Sequence, residues 1–217
     1  MQTPDRSRDR LAWLAALTCA VSLSALLLQY ALVLRNPLEG VGPGYATVRF
    51  LSFFTILSNV LVVAVTAAAL ARSTAGAAGF FARADVRGAA ALYIGVTGII
   101  YATILRHLWE PQGALWWADS GLHYATPLLY LAWWIFGAGH GSLRMRAIAS
   151  WLLFPLVYLV WTFARGAWVH EYPYPFLDVD ALGWTTVLRN SVGVLVLFLV
   201  VGAVLIAIDK ALRPRTG

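Results

Sequence analysis

Apolar residues run along this chain in long unbroken stretches, separated by short segments rich in Arg, Gly, Pro and aromatic residues. A helix needs roughly 20 such residues to cross a ~30 Å hydrocarbon core. Six stretches approach that length, at 11–34, 48–71, 89–108, 121–139, 147–164 and 189–208. They are continuous and rich in Leu, Ala and Val, whereas the strands of a transmembrane barrel alternate over about ten residues. The pattern predicts an all-α polytopic membrane protein: a six-transmembrane-helix bundle over 11–209, with short tails at 1–10 and 210–217. No connecting stretch is long enough for a second domain. The first apolar run is longer than the ~7–15 residues of a signal-peptide core, so it reads as a retained anchor.

Composition agrees with the pattern: 60% of the 217 residues are hydrophobic and 12% charged, with a mean hydropathy of +0.73. The net charge of +6 does not point to nucleic acid, because the basic residues form short clusters at helix ends instead of a stripe or an arm. Their distribution sets orientation. Arg6, Arg8, Arg10, Arg72, Arg83, Arg87, Arg144, Arg146, Lys210, Arg213 and Arg215 fall on one side of a six-span chain, and only Arg35, Arg49, Arg106, Arg165 and Arg189 on the other. Lys and Arg accumulate on the cytoplasmic side, so both termini are expected in the cytoplasm of a cell-membrane protein. The outer loops carry Glu39, Glu110, Asp119, Glu171, Asp178 and Asp180, turn-formers such as Asn36-Pro37 and Tyr172-Pro173-Tyr174-Pro175, and aromatics expected in an interfacial belt: Trp109, Trp116, Trp117, Trp168, Tyr172, Tyr174 and Trp184. With Cys19 as the one cysteine, disulfides and thiolate metal sites are excluded. No cofactor or metal is expected.

Ionisable residues inside a bilayer are costly and mark functional sites by default. His123 is the chief candidate. At about 100° per residue the second run gathers Arg49, Ser52, Thr55 and Asn59 within an arc of about 120°. The fourth gathers Asp119, Ser120, His123, Thr126 and Tyr130, with Asp119 one turn before His123 so that a carboxylate can reach the imidazole. Both runs enter from the same side, which places Ser52, Thr55 and His123 at similar depth. A neutral His123 near either hydroxyl could accept its proton as it attacks an ester carbonyl and return that proton to the leaving alcohol. Asp119 would hold the imidazole tautomer; Asn59 or Arg49 would serve the oxyanion. Arg106, Arg165 or Arg189 could bind a substrate carboxylate near the headgroups. Plainer roles compete: hydroxyls that back-bond to the preceding turn, Asn59 as interhelical glue, Asp119 as a helix N-cap and arginines that snorkel. His107, His140 and His170 have no paired ligand spacing.

Three segments, in order along the chain, resemble one family. Arg49-Phe50-Leu51-Ser52-Phe53 is similar to the basic-aromatic-Leu-Thr-Phe segment of the androgen-induced and androgen-dependent TFPI-regulating membrane hydrolases. Trp117-Ala118-Asp119-Ser120-Gly121-Leu122-His123 resembles their Trp-Leu-Asn-His-Gly-x-His segment, and Gly166-Ala167-Trp168 with Tyr174-Pro175-Phe176-Leu177 their Gly-x-Trp-x-Tyr-Pro-Phe-Leu stretch. The resemblance implies a multi-pass hydrolase that uses a Thr and a His on fatty acid esters of hydroxy fatty acids. His123 matches directly. Ser52 stands at the position of the family Thr, with Thr55 one turn further in; Asp119 replaces an Asn and Ser120 a His.

The expectation is therefore a lipid-ester hydrolase acting on a fatty-acyl substrate, with Ser52 or Thr55 as nucleophile and His123 as general base. A small-solute or lipid transporter and a non-enzymatic membrane scaffold subunit are the alternatives.

Overall fold

The computed structural model describes residues 11–35, 42–72 and 75–214, so Arg6, Arg8, Arg10, Asn36, Pro37, Glu39 and Arg215 lie outside the described residues. Among the described residues the regular structure is entirely helical. The elements are α1 (Ala12–Arg35), α2 (Pro43–Leu51), α3 (Phe54–Ala71), α4 (Gly76–Phe81), α5 (Ala84–Thr103), a 3₁₀ turn (Leu105–His107), α6 (Ala114–Ser120), a π-helical turn (Gly121–Ala125), α7 (Thr126–Gly137), α8 (Ala147–Val169), a second 3₁₀ turn (Pro175–Leu177) and α9 (Val179–Ala211). Among the described residues five stretches are long and apolar enough to cross a bilayer: α1, α3, α5 with its 3₁₀ extension, α8 and α9.

Two expected spans differ from the single helices read from hydropathy. The run 48–71 is broken at Phe53, whose extended backbone (φ −91°, ψ 127°) separates α2 from α3. Ser52 closes α2 by turning its hydroxyl back onto the Val48 carbonyl at 2.7 Å, the local bond by which Ser competes with a helix ladder. The run 121–139 begins earlier, at Ala114, and passes through the π turn before α7. Pro127 supplies the cause. It lacks the N–H that would bond the His123 carbonyl, and its ring crowds that oxygen; the chain widens, and the Thr126 N–H reaches back five residues to Gly121. Elsewhere helices outrun their predicted bounds. α9 starts at Val179 and bends at Gly183, whose φ of 72° suits a residue without Cβ.

α5 is the central post. Ala90, Ala91, Leu92 and Ile94 are fully buried, and Gly98 lets it close on the π turn: a Cβ there would lie 3.2 Å from Pro127 Cβ and 3.6 Å from the His123 carbonyl. α1 presents Ala15, Thr18, Ser22 and Ala25 to the bundle, small residues that allow backbones to approach where lipid supplies no hydrophobic drive. At Gly121 that approach is tight enough that a Cβ would come within 2.7 Å of Ala25 Cβ. The opposite faces of α8 and α9 are apolar and open, with Leu153, Val160, Val192 and Val200 among their exposed residues. Such a surface suits acyl chains, not water.

Candidate active site

The break at Phe53 makes Thr55 a first-turn residue of an 18-residue helix, with its N–H free of the intrahelical ladder. That N–H donates to the Tyr174 hydroxyl at 3.1 Å, and the same phenol lies 3.2 Å from Thr55 Oγ1. On the other side Thr55 Oγ1 is 3.3 Å from His123 Nε2. The π turn that carries His123 packs against both α1 and α3, which brings α3 and the expected fourth span side by side.

His123 is held from three directions. Its Nδ1 faces the Asp119 carbonyl at 3.0 Å and the Asp119 carboxylate at 3.2 Å, both acceptors, so Nδ1 carries the proton and Nε2 is left to accept from Thr55. Tyr101 stacks on the imidazole with ring centroids 4.0 Å apart and 14° between planes, and donates its hydroxyl to the other carboxylate oxygen of Asp119. Asp119 lies within α6, where Gly113 occupies the N-cap position; the capping alternative does not apply. The i, i+4 reach read from the sequence is present.

The remaining candidates separate. Ser52 does not join His123: its hydroxyl is engaged by Val48 O and by the Trp161 indole N–H at 3.1 Å, and the backbone break turns it out of the arc drawn for a continuous helix. Asn59 has both amide hydrogens engaged, on Thr55 O at 2.8 Å and Leu122 O at 3.2 Å, while its oxygen accepts from Ser22 at 3.1 Å. It ties α1, α3 and the π turn together, and no donor remains for an oxyanion. Arg165 is buried against Glu171 and Tyr45, with Nη2 at 2.5 Å from Glu171 and 3.0 Å from Tyr45, so it is not a free carboxylate ligand. Arg106 and Arg189 are exposed and line none of the cavities described here. Arg49 spends its Nε on Glu171 at 2.5 Å and lines the cavity beside His123. Burial pushes the Glu171 carboxyl up, but hydrogen bonds from Arg165, Arg49 and Tyr45 outweigh it and hold the group below its ordinary range.

Two cavities meet at Thr55. One, of about 400 Å³, is lined by Arg49, Phe53, Tyr101, Asp119 and His123 and roofed by Pro173 to Pro175. The other, of about 90 Å³, is an apolar cleft between α5, α8 and α9 lined by residues such as Ile100, Leu156, Leu195 and Phe198. Thr55, Leu105 and Tyr174 belong to both walls.

Tyr174 is the residue that sequence reasoning missed, because a Tyr in an outer loop reads as interfacial belt. It is buried. The loop folds back because Gly166 leaves room for the Tyr172 ring, where a Cβ would come within 2.1 Å, and because Asn190 bonds the Phe176 carbonyl at 3.0 Å. A usable signal was present in Pro173 and Pro175, which fix the backbone on either side of Tyr174.

No family model matches the chain, and no match emerges among curated proteins or solved structures. Function therefore has to be argued from the site itself.

Proposed function

We propose that the chain is a multi-pass cell-membrane hydrolase of the androgen-induced type, with six spans and both termini in the cytoplasm, that cleaves lipid esters with Thr55 as nucleophile and His123 as general base. One observation carries the reading: a buried threonine hydroxyl 3.3 Å from the free nitrogen of an imidazole whose other nitrogen is held by a carboxylate, at the junction of two cavities. In this reading the helical path from Ala114 to Gly137 serves as the fourth span.

In acylation, His123 Nε2 takes the Thr55 Oγ proton while Oγ bonds to the ester carbonyl carbon. Negative charge gathers on the former carbonyl oxygen, where the amino end of α3 supplies positive potential and the Tyr174 hydroxyl can turn to donate. Collapse breaks the bond to the alcohol oxygen, which leaves with the proton from Nε2. Water then attacks the Thr55 ester, giving its proton to Nε2, and the acid departs as that proton returns to Oγ. Asp119 stabilises the imidazolium throughout.

The apolar cleft suits an acyl chain reaching Thr55 from the lipid-facing side of α8 and α9. Arg49, which lines the larger cavity, suits a carboxylate on the alcohol half, as in a fatty acid ester of a hydroxy fatty acid. A carrier has less support: the hydroxyls of Thr66 and Thr97 are taken by Val62 O and Ser58, so among the described residues no polar route continues inward from the site.

The test is release of both acid halves from such an ester by purified protein in micelles, followed by mass spectrometry. Turnover should be present in the native protein and absent in Thr55→Ala and His123→Ala. Equal release by all three would end the hydrolase reading.

A further inference from the structure

A second recess lies at the far end of the bundle from Thr55, the end that holds Leu11 against Gly137 and Arg213 against Gly141. There α3, α4, α5 and α8 enclose a groove of about 470 Å³ whose walls are Leu61, Ala64, Phe80, Phe81, Tyr93 and Phe154. It runs into a wider, more polar recess of about 680 Å³ lined by Arg144, Arg146 and Ser142; the two share Arg83, Asp85 and Ser150.

The charges around this mouth do not cancel. Arg83 clamps Asp85 with two bonds, of 3.0 and 2.7 Å, which neutralises that pair. Arg144 and Arg146 are exposed, with no ion-pair or hydrogen-bonding partner for either guanidinium among the described residues. The 23-residue α8 begins beside them at Ala147 and adds potential of the same sign. Two unpaired guanidiniums thus stand at the mouth of an apolar groove. A free phosphate would use the mouth alone, and a zwitterionic lipid would bring a cation against it. A molecule that satisfies both parts has a net negative headgroup and an acyl chain.

We propose that this joined recess binds one anionic phospholipid from the leaflet on that side, its phosphate against Arg144 and Arg146 and one acyl chain along Phe80, Phe81 and Phe154. The site is separate from the Thr55 cavities and stands whether or not the chain is a hydrolase. Basic pockets between spans on a cytoplasmic face select anionic headgroups in this way.

The experiment is native mass spectrometry of the full chain released from bilayers of equal phosphatidylglycerol and phosphatidylcholine. The native protein should keep one phosphatidylglycerol in preference to phosphatidylcholine by about tenfold, the ratio that about 1.4 kcal/mol produces. Arg144→Gln with Arg146→Gln should bring that preference close to one. Ala64→Trp, which fills the groove and leaves the charges in place, should reduce retention of phosphatidylglycerol. Inorganic phosphate at millimolar concentration should not displace the lipid. Equal retention of both lipids by the native protein, a preference that survives the double variant, unchanged retention in Ala64→Trp, or displacement by phosphate would each overturn the assignment.

Discussion

Two histidine–aspartate pairs, each built on a buried carboxylate, sit at opposite ends of this bundle. At one end His123 faces Asp119; at the other His140 Nδ1 lies 3.3 Å from Asp209, whose second oxygen accepts the Leu143 N–H at 2.9 Å. The difference lies in the other ring nitrogen. His140 Nε2 is capped by the Ile135 carbonyl at 3.0 Å, so both of its nitrogens face acceptors. His123 Nε2 instead meets a hydroxyl that can give up its own proton, at the edge of a cavity. A histidine whose two nitrogens are both committed to acceptors is a clasp. One with a single nitrogen held and the other presented to a nucleophile is equipped for chemistry, and residue type and partner alone do not separate the two.

Substitution at the His123–Asp119 end should separate the two pairs most sharply. Thr55→Ala and His123→Ala should each lower ester turnover by about 10³-fold or more, the cost of removing one member of a nucleophile–base unit, with the midpoint of thermal unfolding shifted by a few degrees at most. The His140–Asp209 pair should give the reverse. Asp209→Asn or His140→Ala breaks a buried pair that fastens α9 to the end of α7 and to Leu143, a loss on the order of 3–5 kcal/mol, while turnover per folded molecule stays near native. If His123→Ala unfolds the protein and His140→Ala silences it, the assignment of roles is inverted.

Tyr174→Phe sharpens the account of the outer end. Removal of a single donor to an oxyanion lowers kcat by roughly 10²-fold, and KM should move little because the ring and its contacts with Phe53 and Phe176 remain. Ser52→Ala discriminates the neighbouring hydroxyl: turnover should stay within about threefold of native and stability should fall by about 1 kcal/mol, the worth of its local hydrogen bonds. The smallest effect concerns Glu171, which anchors the loop carrying Tyr174. Its carboxyl is held below its ordinary value of about 4.5. Its contribution is therefore complete above that pH and fades as pH falls through the lower folded value. Unfolding midpoints measured from pH 6 down to pH 3 should drop less steeply for Glu171→Gln than for the native chain.

The all-helical membrane character was legible because it rests on run length and composition, which need no knowledge of neighbours. The contact between Asp119 and His123 was also legible, since one helical turn fixes their separation even where a π turn intervenes. The stripe through Arg49, Ser52, Thr55 and Asn59 was not, because helical-wheel arithmetic holds only along an unbroken helix and Phe53 interrupts this one. Once α2 and α3 are separate, Thr55 turns to His123, Ser52 to Trp161, and Asn59 is occupied by three elements at once. Arg165 misled for a different reason. Its partner Glu171 follows six residues later, but only the fold-back allowed by Gly166 brings their side chains together. Tyr174 depends on that same fold-back, a tertiary event that hydropathy does not register.

The central claim is that Thr55, activated by His123, is the atom that attacks. Labelling of the purified chain with a fluorophosphonate probe, followed by peptide mapping, tests it most directly. The account predicts an adduct on Thr55 Oγ that persists in Ser52→Ala and disappears in both Thr55→Ala and His123→Ala. An adduct on Ser52, or labelling undiminished in Thr55→Ala, would contradict it.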